Sequence, residues 1–135
     1  MTELTNSTEL TLDAGQTAVF DTVLLNKGCA TCTRNGTGSI KLRGCGIYEV
    51  RFTGNIGVSG ATGVAQLSIQ MGGVTYNPST IQSETSTEGN LNAVEKTFWL
   101  NNCCGDYSRL TVVNTGTTVV TIGIGSIFSA RRICS

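Results

Sequence analysis

Apolar positions in this chain alternate with polar ones and hold no helical period for long. The clearest stretch is VAQLSIQM, where Ala65, Leu67, Ile69 and Met71 fall on one side and Val64, Gln66, Ser68 and Gln70 on the other. Alternation of period two marks a strand with one face against a core. The same reading places strands over 18–25, 39–42, 47–56, 93–100, 109–114, 118–122 and 126–133. In the strand over 47–56, Tyr48, Val50 and Phe52 share one face, opposite Ile47, Glu49, Arg51 and Thr53. Turn-forming pairs separate these runs: Asn35-Gly36, Gly72-Gly73, Asn77-Pro78, Gly105-Asp106 and Thr115-Gly116. Short strands at regular spacing predict an all-β fold with almost no helix, a single β-sandwich or jelly roll over 1–135.

Two stretches depart from the rhythm. Residues 1–15 are expected to form an N-terminal arm or a first strand. Residues 76–92, YNPSTIQSETSTEGNLN, are polar and lack alternation. They are expected to form a long surface loop, with a short strand in it. No repeat, heptad or Gly-X-Y tract is present, so any self-association must come from the globular part.

Charge narrows the partners. Nine basic residues cancel nine acidic ones, and only 13% of the 135 residues are charged. A surface this poor in charge must be built from Thr, Ser, Asn and Gly with some apolar area, which small domains usually cover with a partner. An oligomer is therefore expected. No basic run stands out, and alternation puts Arg131 and Arg132 on opposite faces of their strand, so nucleic acid is not an expected partner. A membrane is not expected either, because no apolar stretch approaches the ~20 residues of a spanning helix. The start, MTELTNSTELTLDAG, lacks a basic segment and an apolar run, so no secretory leader is expected.

The chemistry is sparse. The chain contains no histidine, which removes imidazole-assisted nucleophiles and imidazole metal ligands. The nine carboxylates are scattered, and Glu84 and Glu88 read as solvated acids of the polar stretch rather than a calcium site. The glycines of GATG and GIGS read as turns, not phosphate cradles. No catalytic residue, cofactor or metal ligand is expected, and the chain is not expected to be an enzyme. The six cysteines are the unusual feature. Cys29 and Cys32 lie in one expected loop, Cys103 and Cys104 in another, while Cys45 and Cys134 stand apart. Disulfides, a four-thiolate site from Cys29, Cys32, Cys103 and Cys104, and reduced small buried residues all remain open. A bond among those four is the expectation for a protein that must survive outside the cell.

FDTVLLN (Phe20 to Asn26), followed by GCGIYEVRFTGNI (Gly44 to Ile56), resembles the jelly rolls of tumour necrosis factor and the complement globular heads. In that superfamily a Gly-x-Tyr-x-Phe-like strand follows a Phe-Asx-rich strand and a loop. Here Val50 takes the aromatic's place, with Phe52 two residues on. The segment LTVVNTGTTVVTIGIGSIFSARRI resembles the last hairpin of those domains. The resemblance implies a homotrimer with aromatic and aliphatic side chains meeting on the three-fold axis, for which Tyr48, Phe98, Trp99 and Phe128 are the candidates. Short members without a leader resemble proteins of bacteria and phages. Three roles follow as expectations. The first is a structural trimer on a phage particle, made in the bacterial cytoplasm and decorating the head against the major capsid protein. The second is a receptor- or glycan-binding module of a phage. The third is a spore or cell-surface structural domain.

Overall fold

The computed structural model describes residues 1–33, 37–102 and 107–134, with residues 107 and 108 as backbone only. In chain order the strands are β1 (Thr2–Thr5), β2 (Leu10–Leu12), β3 (Thr22–Asn26), β4 (Thr31–Cys32), β5 (Ile40–Arg43) and β6 (Gly46–Val58). They continue as β7 (Gly63–Met71), β8 (Val74–Thr75), β9 (Ile81–Thr85), β10 (Asn92–Asn102), β11 (Tyr107–Asn114), β12 (Val120–Ile122) and β13 (Ile127–Cys134). A single 3-10 turn, Asn77–Ser79, is the only helical element among the described residues.

These strands form two antiparallel sheets. One has seven strands, in the order β2-β12-β6-β13-β1-β3, with β10 on the other side of β6. The second has six, in the order β4-β5-β11-β7-β8, with β9 also on β7. The two stack face to face. Leu4, Tyr48, Val50, Phe52, Leu100 and Phe128 from the first sheet meet Ile40, Leu42, Leu67, Ile69, Leu110 and Val112 from the second, all buried. This is the jelly-roll sandwich that the alternation predicts.

Two expectations change in detail, the strand over 18–25 and the outward place of Ser68. The strand expected over 18–25 is real only from Thr22 onward. Its first half belongs to the other sheet: Thr17 bridges Val113, and the Ala18 amide donates to the Val112 carbonyl at 2.8 Å. The chain crosses between sheets here, and Phe20 fills the space on the way, 5.7 Å from Phe128 and 6.4 Å from Phe52 between ring centroids. The polar stretch 76–92 carries the Asn77–Ser79 turn and β9, which pairs with β7. Its inward residues are Ile81, Ser83 and Thr85, so two of its three inward positions carry hydroxyls. Thr85 accepts a hydrogen bond from the Val58 amide at 3.0 Å, which makes a buried hydroxyl tolerable.

In β7 the inward residues Ala65, Leu67 and Ile69 are buried as expected. Ser68, expected outside, is also buried, because Thr80 and Thr115 cover it with hydroxyl contacts at 2.9 and 2.8 Å. Leu67→Ala should lower unfolding stability by about 2–5 kcal/mol and Gln66→Ala by less than about 1 kcal/mol, measured by urea denaturation. Equal losses would contradict this register.

Candidate functional site

The four aromatic residues expected at an interface divide between core and surface. Tyr48 and Phe128 are fully buried inside the protomer. The Tyr48 hydroxyl lies 2.8 Å from the Arg43 carbonyl, with the Ala30 and Gly44 carbonyls at 3.3 and 3.2 Å. It therefore ties β6 to the turn before it and to the segment entering β4. Phe98 is half-buried and stacks on Tyr76 at 5.3 Å. Trp99, by contrast, is 63% exposed. Its neighbour Leu100 points into the core, so Trp99 stands on the outer face of β10, across from Glu49 of β6. Glu49 holds Arg131 of β13 at 3.3 Å. Ile47, on the same outer face of β6, is also exposed.

The cysteines fall differently from the expectation. Cys29 and Cys32 are free thiols. The expected disulfide thus does not involve Cys29 or Cys32, and Cys103 and Cys104 lie outside the described residues. The reason is local: Thr31–Cys32 is a strand rather than part of a loop, and its pairing with β5 fixes Cys32 across from Lys41. Among the described residues no group of three His, Cys, Asp or Glu is placed to hold a metal ion.

A feature missing from the linear reading lies on the six-stranded sheet. Cys32, Thr33, Ser39, Lys41, Arg43 and Arg109 line a cavity of about 230 Å³. Its cations come from two segments far apart in the chain, so no basic run announces them. The signal becomes visible only with the pairing register, in which Arg109 of β11 stands directly across from Lys41 of β5.

No family model matches the sequence, and no curated protein does. Among solved structures, the globular domain of the zebrafish complement 1qA protein superposes with a TM-score of 0.63, over 98% of this chain and 95% of that one. The chain has the complement globular-head fold. This jelly roll is the one that the segments around Phe20, Tyr48 and Phe128 resemble. Sequence identity is 13%, so the likeness speaks for the fold and leaves the activity to the surface. Latent dimeric PorU from Porphyromonas gingivalis overlaps over 98% of this chain but 13% of its own, at 9% identity and a TM-score of 0.42, too low to carry an argument.

Tyr48 gives the site a measurable consequence. Burial pushes its phenol above the ordinary value of 10.0, against the lowering influence of Arg132 and of the Arg43 carbonyl bond. The unfolded chain therefore loses this proton first. The resulting stability is complete below about pH 10 and is lost as pH rises toward the folded value. Tyr48→Phe should cost about 1–2 kcal/mol at neutral pH and should remove part of the alkaline decline, both followed by urea denaturation.

Proposed function

We propose that this chain is a non-enzymatic structural protein that forms homotrimers through the outer face of β6 and β10. We propose further that it works on the surface of a phage particle, decorating the head and clamping neighbouring major capsid subunits. The exposed ring of Trp99 carries the assembly reading. Tryptophan is enriched in the energetic centres of interfaces, where its large apolar area leaves water. Low charge favours the same reading, since self-repulsion between copies is weak. The complement-head fold supports it too, because the resemblance implies three copies about an axis. The phage setting is supported by the resemblance to short phage and bacterial jelly rolls and by a sequence without histidine or a catalytic pattern.

At micromolar concentration light scattering should give three times the 14.1 kDa chain mass. Trp99→Glu, a change at an exposed position, should leave the fold intact and return the mass to one chain. A single-chain mass for the unaltered protein would contradict the trimer. Imaging of virions from cells carrying the gene should show knobs at three-fold positions of the head. Virions lacking the chain would contradict the decoration role.

A further inference from the structure

β10 ends its sheet on one side. Among the described residues it pairs with β6 along its whole length and with no other strand. At 11 residues it is also far longer than the other edge strands, β2, β3, β4, β8 and β9, which have two to five. The Tyr76 hydroxyl donates to the Trp99 carbonyl at 3.4 Å, so that carbonyl points away from β6. In an antiparallel ladder the amide and carbonyl of one residue point to the same side, and residues two apart share it. Ala93, Glu95 and Thr97 therefore turn their backbone groups to the free edge as well. Among the described residues no hydrogen bond reaches these groups from that side. The edge is tied only near its ends, where the Asn92 side-chain amide donates to the Glu84 carbonyl at 2.7 Å and Tyr76 holds Trp99. An open row of this kind is a template for another strand.

Lys96 sits in the middle of that row, on the inward side. Its neighbours there, Val94 and Phe98, pack against the core, and Leu100 is buried. Lys96 itself is half-buried and stands across from Phe52, which is fully buried. An apolar residue would continue the row, so a lysine here costs packing. Lys96 belongs to neither ion pair of the described residues, Arg51–Glu95 and Arg131–Glu49. An unpaired ammonium keeps its water. With β6 on one flank and the core beneath, the stem of Lys96 lies along the apolar row and its tip leaves by the open edge.

We infer that Lys96 guards the β10 edge: it blocks pairing with a strand of another copy, and so keeps this chain from growing into open-ended sheets. A strand added beside β10 would lay its own inward side chains over the Lys96 tip and enclose the charge between the layers. That loss of hydration offsets the backbone hydrogen bonds the new strand would make. A second copy is the partner that matters, because it brings an identical free edge to every encounter. The inference concerns the edge of β10 and not its outer face, so it stands apart from the trimer.

Lys96→Val in the full chain tests it, with Lys96→Arg as the variant that keeps the charge. Valine continues the row of Val94 and Phe98, and urea denaturation should show a fold at least as stable as the unaltered one. Lys96→Val should give a scattering mass that keeps rising with concentration, without a plateau, while Lys96→Arg keeps the mass of the unaltered protein. Lys96→Met, which keeps the length of the stem and removes the charge, should grow in the same way and gives the reading if valine fails to fold. Hydrogen exchange locates the growth. In the unaltered protein the amides of Ala93, Glu95 and Thr97 should exchange fast, while those of Val94, Lys96 and Phe98, bonded to β6, exchange slowly. In the grown assemblies the fast class should become protected. A folded Lys96→Val or Lys96→Met chain with the mass of the unaltered protein would overturn the guard. Growth that leaves the fast class unprotected would overturn it too, because the contact would then lie elsewhere. A failure of the trimer would appear in the mass of the unaltered protein and leave the comparison between variants as it is.

Discussion

The packing of Phe20 between the two sheets is the constraint on which the rest depends. Phe20 arrives on a segment that begins hydrogen-bonded to β11 and ends in β3, so its ring sits where the chain changes layers. Phe52 and Phe128 flank it, and the three rings fix how the sheets stack. The same segment positions the chain beside it. Gly38 has a φ of +65°, and a Cβ there would stand 2.6 Å from the Val19 Cα and 2.8 Å from the Ala18 carbonyl. Only a glycine lets the backbone press this closely. Gly38 immediately precedes Ser39, whose hydroxyl meets Arg109, so a core residue sets the rim of the surface cavity.

With one face of each sheet committed to the core, two outer faces remain, and they differ in chemistry. The outer face of β6 and β10 shows Trp99 and Ile47 beside ion pairs that are already matched. Such a face gains by meeting an apolar partner. The outer face of β4, β5 and β11 shows like charges in register around a concave surface with hydroxyls at its rim.

Strands whose inward residues are apolar, β6 and β7 above all, were legible in the sequence, and so was the jelly roll they build. β9 was legible only as an unplaced short strand within 76–92, because Ser83 and Thr85 point inward and satisfy their hydroxyls locally, which erases the apolar alternation. β4 was too short at two residues to leave a pattern, and that is why Cys32 reads as a loop thiol in the sequence and as a strand residue in the fold. Alternation also separated Tyr48, which shares a face with Val50 and Phe52, from any outward role; the family resemblance alone made it an interface candidate. The cavity was invisible for a different reason. It depends on which strands become neighbours, and the residues of β5 and β11 carry no local sign of their register.

Trp99 is the chain's one tryptophan, so its fluorescence reports directly on the face that the account assigns to assembly. Acrylamide quenching across a dilution series is the decisive measurement. The account predicts that Trp99 is shielded at micromolar concentration, with blue-shifted emission, and becomes freely quenchable as dilution separates the protomers. Equal and ready quenching at every concentration would contradict it.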